Sequence, residues 1–193
     1  MHFSGGQPEV DVRKLPDWRL TFRKQRKWGI RSLNQYEAQF ERWLKQYRGL
    51  IYRVVMVYAP HIDAQEELFQ EIALALWRSI EKFEQRSAES TWIYRVALNT
   101  AISHRRRTDR QPNTRSLESW DGWVHFDPER DQQLSWLYAQ IRSMSMVDRS
   151  LALLYLEGNS YEDMATILGI SQNSVGVKIN RMKSRLRKLL EDE

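Results

Sequence analysis

The segment SYEDMATILGISQNSVGVKINRMKSRL, residues 160–186, carries the strongest structural signal in the chain. Ser160 begins a capping-box pattern, S-x-x-D, which is typical of the first turn of a helix. Gly169 tolerates the positive φ that a tight turn between helices requires. Ala165 is small enough to let two helices approach, and Val175 is an apolar anchor on the second one. The segment therefore predicts a helix-turn-helix.

The second helix of this segment has two chemically different faces. Apolar residues recur at helical spacing and form the face that packs inward: Val175, Ile179, Met182, Leu186 and Leu189. Another face carries basic residues: Lys178, Arg181, Arg185 and Lys188. A helix of this kind can read base edges near its N-terminus and bind phosphates further along. The alternative is a solvated basic helix that ends a bundle.

The rest of the chain also favours helices. No glycine occurs between Leu50 and Asp121, and long spans lack proline. The apolar pattern between Tyr36 and Tyr58 is helical for about six turns, and similar patterns follow it. Residues 111–133 have no helical period, contain two prolines and carry excess acid. We therefore predict an all-α fold of two small helical domains joined by a flexible linker.

The distribution of charge points to a polyanionic partner. The net charge of +5 comes from basic blocks at 1–33, 91–110 and 171–193, which acidic stretches separate. The chain has no cysteine, which excludes disulfides, thiolate-bound zinc and thiol catalysis. It also lacks an apolar run long enough to span a membrane and a signal-peptide core, so we expect no membrane insertion and a cytoplasmic protein.

The helix predicted after residue 90 has a polar face suited to nucleic acid. That face carries Arg95, Asn99, Ser103 and Arg106 at helical spacing. Asparagine, serine and arginine bind base edges and phosphates, while aromatic rings stack on unpaired bases. Phe83 and Trp92 are the candidates for stacking. The alternative for Trp92 is ordinary core packing.

An acidic helix precedes this one and has three interpretations. Its polar residues are Glu66, Glu67, Gln70 and Glu71. They could form a protein-docking surface, a solvated face, or a carboxylate cluster that holds Mg²⁺ for phosphoryl transfer. The four histidines show no metal-ligand spacing: His2, His61, His104 and His125. We favour docking, and we expect no metal, no cofactor and no catalytic residue.

Taken together, three segments resemble a bacterial sigma factor of the extracytoplasmic-function (ECF) group. They are AQEELFQEIALALWRSIEKF (64–83), STWIYRVALNTAISHRRR (90–107) and the helix-turn-helix. The resemblance covers about residues 34–190. It implies region 2 of a sigma factor at 34–110, the acidic linker at 111–133, and region 4 at 134–193. Residues 1–33 match nothing in the family, and we expect this basic extension to be mobile.

The resemblance implies a function and a set of sites. A sigma initiation factor binds the β′ clamp and β flap of core RNA polymerase, directs it to promoters and assists DNA melting, with no catalysis of its own. The implied residues for core-polymerase binding are Glu67, Leu68, Gln70, Glu71 and Trp77. Those for the −10 element are Phe83, Trp92, Arg95, Asn99, Ser103 and Arg106. Those for the −35 element are Ser174, Val177, Lys178, Arg181, Lys183 and Arg185.

Other partners and functions follow from the same reasoning. Many relatives are held by an anti-sigma factor, so such a factor is a candidate partner in addition to polymerase and promoter DNA. One alternative function is a stand-alone helix-turn-helix regulator that binds operator DNA without polymerase. Another is a metal-dependent nuclease or recombinase that uses Glu66, Glu67 and Glu71.

Overall fold

The computed structural model describes residues 30–59, 61–109 and 132–191. Within these ranges the chain forms eight α-helices and no strand, which confirms the all-α prediction. The helices are α1 (Ile30–Gln46), α2 (Arg48–Tyr58), α3 (Ile62–Ser79), α4 (Glu89–Thr108), α5 (Gln132–Ser143), α6 (Met146–Leu156), α7 (Tyr161–Leu168) and α8 (Gln172–Glu191). None of these helices is long and apolar enough to cross a bilayer. Residues 1–29 and 110–131, which are nearly all of the basic extension and of the linker, lie outside the described residues, and the last two positions predicted for the linker belong to α5.

The apolar pattern that spans Tyr36 to Tyr58 is divided between two helices. Tyr47 separates α1 from α2 and has φ −108° and ψ 16°, outside the helical range. Its amide still donates to the carbonyl of Trp43, and its carbonyl accepts from Ile51. Backbone hydrogen bonding therefore continues through the break, which explains why the pattern alone predicts no interruption.

The first four helices form a bundle around α4. This helix packs against α2 and α3, and α1 closes the other side of the bundle. The largest buried side chains include Trp43, Ile72, Leu76 and Leu98, each at most 1% exposed. Since full burial of a large apolar side chain contributes about 1.5–3 kcal/mol, these residues hold the helices together.

The last four helices form a second group around α8. Helices α6 and α7 pack on α8, and α5 packs on α6. Val175 and Ile179 of α8 are fully buried, as is Met164 of α7. These residues lie on the predicted inward face, so the apolar pattern gives the correct orientation of the last helix.

The two groups of helices pack against each other. Helix α2 contacts α5 and α6, and α4 contacts α7. The buried apolar residues of both groups form one continuous core, with Val57 and Leu154 among its fully buried members. The sequence predicts two bodies joined by a linker, but it does not predict this interface.

Polar groups hold the interface at two places. The Arg53 guanidinium on α2 pairs with the Glu157 carboxylate, which follows α6. The Tyr94 hydroxyl of α4 donates to the same carboxylate at 3.2 Å. At the second place the Tyr58 hydroxyl lies 2.9 Å from the Met146 carbonyl oxygen, to which it donates. Burial, with the nearby Glu157 charge, raises the pKa of the Tyr94 hydroxyl, so Tyr94 stays protonated.

Glu89 fixes the start of α4 to α1. Its carboxylate accepts hydrogen bonds from the Arg42 guanidinium at 2.8 Å and from the Gln39 amide at 3.0 Å. The Tyr47 hydroxyl donates to it at 3.3 Å. The hydrogen bond from Arg42 is the main cause that lowers the pKa of Glu89 to about 2. A carboxylate in the first turn is also stabilised by the helix dipole.

We expect Glu89→Gln to lower the free energy of unfolding at pH 7 by about 1 kcal/mol. The neutral amide loses the charge that strengthens these hydrogen bonds, and the partial exposure of the site limits the loss. A carboxyl with a depressed pKa stabilises the fold above its usual pKa of 4.5 and loses this effect as pH falls toward about 2. The difference from wild type should therefore shrink below pH 4.5. Urea unfolding followed by circular dichroism, from pH 7 downward, measures it.

The matched control is Glu84→Gln. Glu84 pairs with Arg86 in an exposed loop, where the arginine side chain is 87% exposed. Such a pair contributes little, so this variant should unfold as wild type does. A Glu89→Gln deficit that stays constant across the acid range would contradict the titration argument.

Candidate functional site

The helix-turn-helix forms as the sequence predicts. The Ser160 hydroxyl accepts a hydrogen bond from the Asp163 amide at 3.0 Å, which caps α7. Gly169 ends α7 with φ 66°, in the left-handed region that favours glycine. The Ser171 hydroxyl accepts from the Ser174 amide at 3.2 Å and caps the start of α8. Two serine caps and one glycine therefore define where these two helices begin and where the turn between them lies.

All six residues predicted to read the −35 element lie on α8, away from its buried face. Ser174, Val177, Arg181, Lys183 and Arg185 are exposed, and Lys178 is half-buried. The Lys178 ammonium pairs with Asp148 at 2.9 Å, and that of Lys183 lies 4.4 Å from the centre of the Tyr155 ring. Two of the cations are thus held by neighbours, whereas Arg181 extends toward solvent.

Gly176 stands within this helix but does not belong to its outward face. A Cβ atom at this position would lie 3.7 Å from the ring of Tyr161 on α7. This is an ordinary van der Waals distance, so the packing of α7 on α8 does not require a glycine at this position.

The polar face predicted on α4 is also present. Arg95, Asn99, Ser103 and Arg106 are all exposed. The opposite face, which includes Ile93, is buried in the core. Helix α4 therefore serves two purposes, because one face holds the bundle and the other presents polar groups to solvent.

The two aromatic residues predicted to stack on bases are part of a ring cluster. The Phe83 ring lies 5.4 Å from that of Trp43 and 5.8 Å from that of Trp92. The Trp92 indole N–H donates to the Ser79 hydroxyl at 3.1 Å. Phe83 and Trp92 are both half-buried. The two rings pack together next to the loop before α4, and part of each side chain remains accessible.

The loop before α4 is exposed and conformationally unusual. Gln85 has φ 56°, the one positive value at a non-glycine residue in the described part of the chain. Residues other than glycine rarely adopt this backbone conformation, and those that do are often found at functional sites. Glu84 and Arg86, on either side, are exposed and form an ion pair at 2.7 Å.

Four of the five residues predicted to dock on polymerase are accessible on α3. Glu67 and Gln70 are exposed, and Glu71 and Trp77 are half-buried. Leu68 is fully buried in the core. Its predicted place on the surface is therefore wrong for this conformation, because α3 turns its Leu68 face toward the other helices. Leu68 positions α3 rather than extending from it.

The structure brings together a polar cluster that sequence reasoning missed. The Glu71 carboxylate accepts two hydrogen bonds from Arg107 of α4, at 2.5 and 2.6 Å. The His104 Nδ1 atom lies 3.4 Å from a Glu71 oxygen. Ligand atoms of Glu67, Glu71 and His104 lie within 4.8 Å of one another. This arrangement could hold a metal ion.

The sequence contains one signal for this cluster. His104 continues the spacing of Ala97 and Ala101 on the buried face of α4, which places a histidine in an apolar stripe. The carboxylates are distant in sequence and come close to it only when α3 packs on α4. The residue spacing therefore cannot reveal the group.

Comparison with known proteins identifies the family of both helical groups. The family described as Sigma-70 region 2 matches residues 43–111. The RNA polymerase sigma-H factor of Pseudomonas aeruginosa is 31% identical over an alignment of 159 residues, and the match covers 74% of this chain and 79% of the relative. The ECF RNA polymerase sigma-E factor of Haemophilus influenzae is 26% identical over an alignment of 166 residues, and the match covers 79% of this chain and 87% of the relative.

Solved structures show the same fold. CnrH, whose structure was solved in complex with the cytosolic domain of CnrY, superposes with a TM-score of 0.61 at 16% identity. The similarity covers 81% of this chain and 90% of CnrH. The sigma factor RpoE in complex with the anti-sigma factor NepR, from Bartonella quintana, also gives 0.61, at 20% identity, and covers 79% of this chain and 97% of RpoE.

These relatives do not favour a stand-alone regulator, since the matches are sigma factors and extend over both helical groups. The identity to the Pseudomonas protein extends over most of both chains, and the solved structures agree in fold. The chain belongs to the ECF group of bacterial RNA polymerase sigma factors.

Proposed function

We propose that this sigma factor docks on core RNA polymerase through α3 and reads promoter DNA with the exposed faces of α4 and α8. The observation that supports this most is shared by the two DNA-reading helices. Each turns its apolar side into the core and leaves the predicted polar residues toward solvent. Helices that present arginine and asparagine in this way suit base edges and phosphates.

Helix α8 reads the −35 element as the second helix of the helix-turn-helix. Arg181 is exposed and can form paired hydrogen bonds with a guanine in the major groove. Val177 is 44% exposed, and an apolar side chain at this place suits the methyl group of thymine. Arg185 lies one turn further along and binds phosphate. Lys178 binds DNA after release from Asp148.

Helix α4 and the loop before it read and open the −10 element. Asn99 and Arg106 on the polar face contact the strand, and an extruded base is held near the exposed loop. Extrusion costs a few kcal/mol, which stacking and pocket contacts offset. The accessible parts of Phe83 and Trp92 supply aromatic surface at this place. The left-handed Gln85 shapes the loop.

Docking on the β′ clamp uses the acidic side of α3. Glu67 and Gln70 are exposed and accessible to a partner, whereas Glu71 forms an ion pair with Arg107. The Arg107 side chain is 62% exposed, so this ion pair is weak and is easily replaced by a partner. The protein acts in the cytoplasm, performs no catalysis, contacts the β flap with region 4 and is a target for an anti-sigma factor.

Reading both promoter elements requires the two helical groups to separate. The −10 and −35 promoter elements are centred about 25 base pairs apart, which is about 85 Å at ~3.4 Å per pair. A globular body of about 140 residues has a radius of gyration of about 14 Å, too small to reach both. The roughly 23 residues that join α4 to α5 can extend to about 80 Å at most. The linker therefore has the length that an opened form needs.

We expect Asn99→Ala and Arg181→Ala each to reduce promoter-specific transcription roughly 5- to 150-fold, because a lost base contact costs about 1–3 kcal/mol. The assay uses core polymerase, the full-length chain and a library of genomic fragments, with the transcripts sequenced. Both residues are exposed, so neither change should alter the circular dichroism spectrum.

Lys45→Ala is the matched control, because it removes one exposed positive charge outside both DNA-reading faces. Its transcripts should equal those of wild type. Absence of initiation on every fragment would contradict the proposed function. So would binding of the free chain to the same fragments as tightly as in the presence of polymerase.

We expect the interface between the helical groups to open when polymerase binds. Since the chain has no cysteine, Ala38→Cys and Glu162→Cys allow specific attachment of two fluorophores to exposed sites in the two groups. Energy transfer should be high in the free protein and should fall on addition of core polymerase. Glu157→Gln removes the charge that pairs with Arg53 and should lower transfer in the free protein only slightly, because a partly exposed ion pair contributes little free energy.

Glu81→Gln, an exposed carboxylate outside the interface, is the control and should leave energy transfer unchanged. Transfer that remains high in the complex would show that the groups stay packed, and the opening step would then be wrong.

A further inference from the structure

We propose that Glu67, Glu71 and His104 form a binding site for a divalent transition metal of the Zn²⁺ class. The two carboxylates lie one turn apart on α3, and the imidazole comes from α4. Their ligand atoms lie within 4.8 Å of one another. Because the groups come from two packed helices, the core of the protein fixes the distance between them.

The imidazole is the observation that distinguishes this group from a chance cluster of acids. His104 is only 5% exposed, and its Nδ1 atom is buried without a hydrogen-bond partner. That atom faces Glu71, with 3.4 Å to the nearest carboxylate oxygen. Buried nitrogens in proteins nearly always have a partner, so an unsatisfied one calls for an explanation. A metal ion that accepts its lone pair would satisfy it.

The set of donor atoms selects the metal. Zn²⁺ binds histidine nitrogen and carboxylate oxygen at about 2.0–2.2 Å, often with three protein ligands and one water. Mg²⁺ prefers oxygen ligands alone and retains its water molecules. Glu67 is exposed, so its side chain can rotate toward an ion held by the more buried pair. The site is therefore expected to discriminate against Mg²⁺.

Arg107 occupies the position that the metal would take on Glu71. Its guanidinium binds both carboxylate oxygens, yet the side chain is 62% exposed and can move into solvent. Metal and guanidinium compete for the same two oxygens. Removal of Arg107 should therefore tighten metal binding, whereas a purely structural role of the cluster predicts no such gain.

Metal binding has a consequence that rests on the proposed function. The ion would neutralise Glu67 and Glu71, two of the residues proposed to dock on polymerase. Binding of metal and of polymerase would then be mutually weakening, by the same factor in both directions. The site would thus make promoter recognition sensitive to the supply of metal.

The test measures Zn²⁺ binding to the full-length, chelator-treated chain by calorimetry, with Co²⁺ as a spectroscopic probe of nitrogen coordination. We expect saturable binding of one Zn²⁺ that Mg²⁺ does not displace. Glu67→Gln and His104→Gln should each weaken it about tenfold or more. Arg107→Ala should strengthen it. Glu66→Gln, next to the site on α3, is the matched control and should bind as wild type does.

His104 is buried, and its substitution could disturb folding, but Glu67 is exposed and its variant keeps the test decisive. Absence of Zn²⁺ binding would overturn the proposal, and so would binding that Glu67→Gln leaves unchanged. A separate measurement of polymerase affinity with and without Zn²⁺ tests the consequence. If Zn²⁺ binds at these residues and polymerase affinity stays the same, the metal site stands and the docking role of the two carboxylates is wrong.

Discussion

The burial of the apolar face of α4 is the constraint on which the rest of the structure depends. This helix packs against α2, α3 and α7, so it joins the first group of helices and also holds the second. Ile93, Ala97 and Leu98 are almost completely buried in these contacts. Since that face is committed to the core, Arg95 and Asn99 must point to solvent. The same packing that stabilises the fold therefore orients the proposed DNA-reading face.

Local sequence rules predicted the parts of the structure that local interactions determine. The cap at Ser160 and the turn at Gly169 involve residues within a few positions of one another, and each forms as expected. The orientation of α8 followed from its apolar spacing. The structure confirms the all-α fold for the same reason, because periodicity and the scarcity of glycine and proline act over single helices.

Contacts between distant segments could not be predicted in this way. The pair of Arg53 and Glu157 depends on how two groups of helices meet, and so does the grouping of His104 with Glu71. The acidic pattern of α3 predicted a polar surface, but it did not show that the helix turns Leu68 into the core. Residue type and spacing indicate which faces exist, and only the packing shows what each one touches.

The polar contacts of the interface accompany a continuous apolar core, and they suit the opening proposed for this contact. Arg53 and Glu157 are partly exposed, at 37% and 20% of their side chains, and water can replace each of them as a partner. Exposed or partly exposed ion pairs contribute little net free energy, since hydration returns when they separate. The Tyr58 and Tyr94 hydroxyls can bind water in the same manner. An interface held by apolar side chains alone would gain no such compensation, so its opening would cost the full free energy of exposing them. Ion pairs and tyrosines at this place thus specify the closed arrangement, and they add little to the free energy that exposing the apolar side chains of the interface costs.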